Sequence, residues 1–128
     1  EYLVAITLNP SFAPGYVNLA DLYRETQQEQ EAETILRKGL IVLHDQPSLH
    51  HSLGLLLVRQ QRMEEALFEL ELAARAPDAT ARFALVYAVA LNSLGKRKES
   101  VAFLESALET FSSDAELRNV YAQFRAQL

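Results

Sequence analysis

The chain contains no cysteine, and that absence excludes disulfides, thiolate metal sites and covalent haem attachment within it. Glycine and proline are scarce, with four of each, and every one has a structural place. Gly39 and Gly54 fall at close-packing positions and Gly95 at a turn, while Gly15, Pro10, Pro14, Pro47 and Pro77 sit at helix boundaries. No glycine cluster is left to cradle a phosphate, which excludes a nucleotide loop. Basic runs are nearly absent. Lys96-Arg97-Lys98 is the one example, and the net charge of −5 argues against a general nucleic-acid surface. The longest apolar runs, around Leu53–Val58 and Phe83–Leu91, fall well short of the roughly 20 residues that cross a bilayer. No charged segment precedes an apolar stretch at the start, so no signal peptide is read and no membrane insertion is expected. The chain opens at Glu1 without an initiator Met, which reads as a piece of something longer.

What is present is repetition. At 128 residues, 49% of them apolar, the chain can bury a real core, and its richness in Ala, Leu, Glu, Gln and Arg favours helix. Five positions recur at a step of 34 residues. They are Leu19, Leu53 and Tyr87; Ala20, Gly54 and Ala88; Ala32, Ala66 and Ser100; Leu36, Leu70 and Leu104; Gly39, Ala73 and Ala107. One period across three copies defines an internal repeat.

Each copy reads as two amphipathic helices joined by a short polar turn. The periodicity predicts helices near Pro14–Thr26 and Glu29–Leu43, Ser48–Gln60 and Met63–Arg75, then Ala81–Leu94 and Arg97 or Lys98–Thr110. Pro14 suits a first helical turn, and Glu29, Glu31 and Glu33 place negative charge where a helix exposes its N–H groups. Ser112-Ser113-Asp114 offers caps for a last helix, Ala115–Gln127, whose Leu117, Val120, Tyr121 and Phe124 form one apolar stripe. Glu1–Leu8 reads as the tail of a further helix ended by Asn9-Pro10. The organisation is therefore one domain: the end of a partial repeat at 1–12, repeats at 13–46, 47–80 and 81–114, and at 115–128 the first helix of a fourth repeat or a cap. Each pair has an apolar stripe too wide to hide within itself. Stacking successive pairs buries it and builds a curved solenoid.

The pattern resembles the tetratricopeptide repeat. Its signature of aromatic, Leu-Gly, aromatic, then Ala and a large apolar residue appears as Tyr16, Leu19-Ala20 and Tyr23 with Ala32 and Leu36. The second copy has His50, Leu53-Gly54 and Leu57 with Ala66 and Leu70, and the third Ala84, Tyr87-Ala88 and Leu91 with Ser100 and Leu104. Asn9-Pro10 matches the family's closing proline for the partial repeat. That proline is displaced or lost in the full repeats. The resemblance covers the whole chain and implies an all-α, right-handed solenoid of antiparallel helix pairs that binds proteins without catalysis. Leu49–Gly54 and Arg82–Leu91 also look like segments from the repeat regions of bacterial multihaem cytochrome c proteins. Without a Cys-x-x-Cys-His motif, that likeness implies no haem ligand here, only a scaffold region of an exported protein.

By the family's geometry the first helix of each repeat lines a concave groove. The residues one step past the packing stripe are Val17, Asp21 and Arg24; His51, Leu55 and Val58; Leu85, Val89 and Asn92; and Asn119, Gln123 and Ala126. Arg82 joins them as the single position that matches the carboxylate grip of chaperone-adaptor domains, where this chain otherwise has Val17, Asp21, Ser52 and Val86. The middle two sets are mainly apolar and the outer sets mixed or polar, so the expected ligand is an apolar or amphipathic protein segment. Leu55 and Val89 hold equivalent positions and should lie side by side. The competing expectation is that neighbouring helices cover Leu55, Val58, Leu85 and Val89. A third reading is structural, with copies or missing half-repeats stacking on open ends by self-association. Glu116, Asn119, Gln123 and Gln127 make one side of the last helix polar, as a soluble cap requires.

Catalysis finds no support. Asp21 and Glu25 beside Arg24 read as a solvated charged face, and Ser52 near His51 lacks a third group to orient a base. His44, His50 and His51, with Asp45, resemble metal ligands in type, but their spacing does not. They are expected in a loop, in the core and in the groove respectively. No cofactor or metal is expected.

Overall fold

A computed structural model of the chain describes Ile6 and residues 9–128. Seven helices are present among them and no strand: α1 Ala13–Glu25, α2 Glu29–Val42, α3 Pro47–Arg59, α4 Met63–Ala74, α5 Ala81–Ser93, α6 Arg97–Thr110 and α7 Ala115–Ala126. Every boundary lies within one residue of its expected place. The helix tail expected at Glu1–Leu8 falls outside the described residues except for Ile6, which is buried.

Local chemistry accounts for the starts and stops. Pro14 and Pro47 occupy first-turn positions, where a missing N–H removes no helical bond. The Thr80 hydroxyl accepts from the Phe83 N–H at 3.2 Å, and the Asp114 carboxylate from the Leu117 N–H at 2.9 Å, capping α5 and α7. The first helix of each repeat ends in one device used three times. Gln27, Gln61 and Gly95 adopt φ of 63°, 60° and 78°. The N–H of the following residue then reaches back to the carbonyl of Tyr23, Leu57 or Leu91 at 2.7, 2.9 and 3.0 Å. These are Schellman closures, which satisfy the last carbonyls of the helix while reversing the chain. With so short a connection, two packed helices must run antiparallel.

The backbone contacts divide into two compact units, 1–73 and 74–128. In the first, α1 packs on α2 and α3, and α2 on α3. Its core joins Tyr16, Leu19, Ala20, Ala32, Leu36, Leu49, Leu53, Leu56, Leu57 and Ala66. A methyl carbon on Gly39 would stand 2.8 Å from Cγ of Tyr16, so the ring lies directly on the glycine backbone. In the second, α5 packs on α6 and α7, and α6 on α7. Ala84, Tyr87, Ala88, Leu91, Leu104, Ala107 and Leu117 are buried, with Tyr87 and Phe103 meeting edge to face at 4.9 Å. Ser100 replaces the alanine of the other copies. Its hydroxyl is fully buried and donates to the Ala88 carbonyl at 2.7 Å.

Candidate functional site

In the first unit, contact between α1 and α3 brings Asp21 and Leu55 to one hollow of about 240 Å3. Arg24, Ser52 and Arg59 share its walls, and Ala20, Ala32, Leu36 and Leu56 complete its lining. The rim is amphoteric. Burial holds the Arg59 guanidinium below the usual arginine range, Glu29 acts against that shift, Arg24 adds to it and Asp21 opposes it. Arg59 Nε stands 3.7 Å from Glu29 Oε1, an ion pair too long to be a hydrogen bond. Sequence reasoning left out Arg59, one residue past Val58, because the apolar positions drew the line of the groove.

The other candidates of this unit differ in character. Asp21 is exposed and Leu55 half-buried. Val17 and Val58 are half-buried and pack against the core, so they form its rim. His51 is only 8% exposed, more covered than a groove-lining side chain should be.

In the second unit, Arg82, Leu85, Val89 and Asn92 occupy one side of α5 at helical spacing. Arg82 is exposed, Leu85 half-buried and Val89 41% exposed. Asn92 is engaged, since its Oδ1 accepts from Arg97 Nε at 2.8 Å and ties α5 to the start of α6. On α7, Asn119, Gln123 and Ala126 are exposed, as are Glu116 and Gln127. Leu55 belongs to the first unit and Val89 to the second. A second hollow, of about 330 Å3, was not anticipated from the sequence. Arg75, Pro77, Phe103, Ser106 and Thr110 contribute to its lining, and the Arg75 guanidinium lies 5.2 Å from the Phe103 ring centre.

The histidines separate as chemistry dictates. His44 is exposed in the α2–α3 connection. His50, expected as a core aromatic replacement, is half-buried and polar-bonded. Its Nδ1 lies 2.7 Å from Glu69 Oε1 and its Nε2 2.9 Å from the His44 carbonyl. Nothing along the chain marks this carboxylate partner, because His50 and Glu69 lie on opposite sides of the α3–α4 turn. Among the described residues no group of three or more His, Cys, Asp or Glu is placed to hold a metal ion, and no helix is long and apolar enough to cross a membrane.

Comparison with known proteins fits this geometry. Residues 1–34 match the tetratricopeptide repeat family model. No curated protein matches the sequence. Among solved structures the chain is similar to YrrB, described as a TPR protein with an unusual peptide-binding site, at 23% identity and a TM-score of 0.79, covering 98% of this chain and 65% of that one. The chain thus spans just under two thirds of that protein. TTC0263, a thermophilic TPR protein of Thermus thermophilus, matches at 24% identity and a TM-score of 0.80 over 98% of this chain and 70% of that one. The Yersinia enterocolitica type III secretion chaperone SycD, solved with a peptide of the translocator YopD, matches at 16% and 0.70 over 89% and 87%. The chain therefore has the fold of these tetratricopeptide-repeat proteins, and its first 34 residues match the family's own model.

Proposed function

We propose that this chain is a non-catalytic protein-interaction scaffold whose first-helix surfaces bind an apolar or amphipathic segment of a partner. The observation that carries this reading is Val89, an apolar side chain left 41% exposed on α5 beside half-buried Leu85. Leu55 supports it from the first unit, where it meets charged Asp21, Arg24 and Arg59 around one hollow. Apolar centres with charged rims are what amphipathic segments dock against. The peptide contacts named for YrrB and SycD belong to those proteins and lend the fold a precedent. In this reading Val17, Asp21, His51, Leu55, Val58, Arg82, Leu85, Val89 and Asn92 form the binding surfaces, with His51, Val17 and Val58 acting from beneath.

A grip on a partner's terminal carboxylate fits less well. Of the positions that would hold one, only Arg82 is cationic, and Asp21 would repel the ligand. Peptides selected from a display library against the full chain test the choice. Synthesised with free or amidated C termini and measured by fluorescence anisotropy, they should bind equally well in both forms. Binding confined to the free-carboxylate forms would favour the adaptor reading instead.

A further inference from the structure

The second repeat has put a histidine where the first has a tyrosine, and both make the same bond. Tyr16 donates its hydroxyl proton to the Pro10 carbonyl, six residues earlier, at 2.6 Å. His50, at the equivalent position, reaches the His44 carbonyl, also six residues earlier, through Nε2 at 2.9 Å. A carbonyl oxygen can only accept, so Nε2 must carry a proton. The other ring nitrogen, Nδ1, faces Glu69 Oε1 at 2.7 Å, and a carboxylate oxygen is likewise an acceptor. A neutral imidazole has one N–H and cannot serve both. Only the imidazolium satisfies the site as built.

We propose that His50 is a proton-operated tie, holding α3 to α4 through Glu69 and to the α2–α3 connection through His44 only while both ring nitrogens are protonated. The tyrosine of the first repeat makes its tie through a single hydroxyl donor. The histidine makes its own conditional. Deprotonation leaves a nitrogen lone pair against one acceptor, so one of the two bonds is lost and the first unit loosens at the base of α3.

The surroundings favour the cation. The hydrogen bond to Glu69 raises the His50 pKa most. Burial opposes it, and the His44 carbonyl and the charges of Glu69 and Asp45 add to the rise. Besides Glu69 and Asp45, no other charged side chain among the described residues contributes a named effect on His50. Arg37 of α2 pairs with Glu33 and Glu65, while Asp21 and Arg24 of α1 act on Arg59 at the far end of α3. His51, the next residue on α3, points to a different side of the helix. Because the folded-state pKa is raised, the stabilisation is complete below the ordinary histidine value near 6.5. It is lost as pH rises through the higher folded-state midpoint.

Long-range proton–nitrogen NMR on the full chain, from pH 5.5 to 9.5, reads this directly, with H50Q used to assign the ring. The expected result is a His50 still mainly protonated on both nitrogens at pH 6.5 and a midpoint above 6.5. Each pH unit by which the midpoint exceeds 6.5 should correspond to a tenfold fall in the folded-to-unfolded ratio of the parent relative to H50Q, measured by thermal unfolding at the acid and alkaline ends. E69Q keeps an acceptor oxygen but removes the charge, and should move the midpoint down. It also serves if H50Q does not fold. A neutral His50 at pH 6.5 or below, or a midpoint unchanged by E69Q, would overturn the proposal.

Discussion

Leu70 of α4 packs onto the backbone of Gly54 in α3 so closely that a methyl carbon there would lie 2.6 Å from both Cγ and Cδ2 of the leucine. The Leu70 backbone nitrogen follows at 3.3 Å, and Leu70 is fully buried. The glycine sets how near two helices of a repeat can come. Gly54→Ala would gain about 1 kcal/mol of helix propensity and lose about 1–3 kcal/mol to overpacking. Overpacking wins, because Cγ of a buried leucine cannot swing aside. The variant should melt below the parent in a circular-dichroism scan, with its helix content retained.

Ala66 lies on the same packed pair and is fully buried. Ala66→Arg forces a long side chain into that contact and strands a charge without a partner. A loss of about 3 kcal/mol or more is expected. Denaturant midpoints measure it, and equal midpoints for variant and parent would remove Ala66 from the contact.

The three left-handed closures differ only in residue. Gly95 meets nothing within 4 Å at its missing Cβ, so conformation alone decides substitution there. Gln27 and Gln61 hold the same backbone shape against the preference of an L side chain. Gln61→Gly should therefore stabilise by about 0.5–1 kcal/mol, after allowing for the freer unfolded chain, and Gly95→Gln should destabilise by about as much. Chemical unfolding of the two variants should give shifts of opposite sign.

Glu33 of α2 accepts from Arg62 at 2.7 Å and from Arg37 at 2.9 Å, joining α2 to the α3–α4 turn. The hydrogen bond from Arg62 is the largest cause holding its carboxyl below the usual range. A depressed folded-state pKa contributes stability above the ordinary carboxylate value, lost as pH falls through the folded value. Glu33→Gln should thus lower the melting temperature at pH 7, and the difference from the parent should shrink below about pH 4. A difference that does not change with pH would show that packing, not charge, holds Glu33.

Helix limits were legible because each is written in local chemistry: Pro14, Pro47, Asp114 and the recurrence of Leu, Ala and Gly at packing positions. The closures at Gln27 and Gln61 were not, since glutamine is no turn signal and its φ is imposed by the packed pair. The His50–Glu69 contact was hidden because it depends on how two helices meet rather than on spacing along either. The proposed binding surfaces were half legible. Register on α3 and α5 gives their direction, but only packing reveals that His51 is covered and that Arg59 joins Asp21 and Leu55.

The most direct measurement compares peptide binding by the parent, by Leu55→Asp with Val89→Asp, and by Asp21→Ala. Anisotropy of a labelled, display-selected amphipathic peptide should be recorded with the helical spectrum and melting point of each protein. Two carboxylates beneath an apolar ligand lose water, and Arg24 and Arg59 beside position 55 offset only part of that cost. Affinity should therefore fall at least tenfold, about 1.4 kcal/mol or more, while the fold persists. Asp21→Ala, at the charged rim, should change it little. Normal binding by a folded double variant would contradict the proposed surface, and unfolding of that variant would assign Leu55 and Val89 to the core.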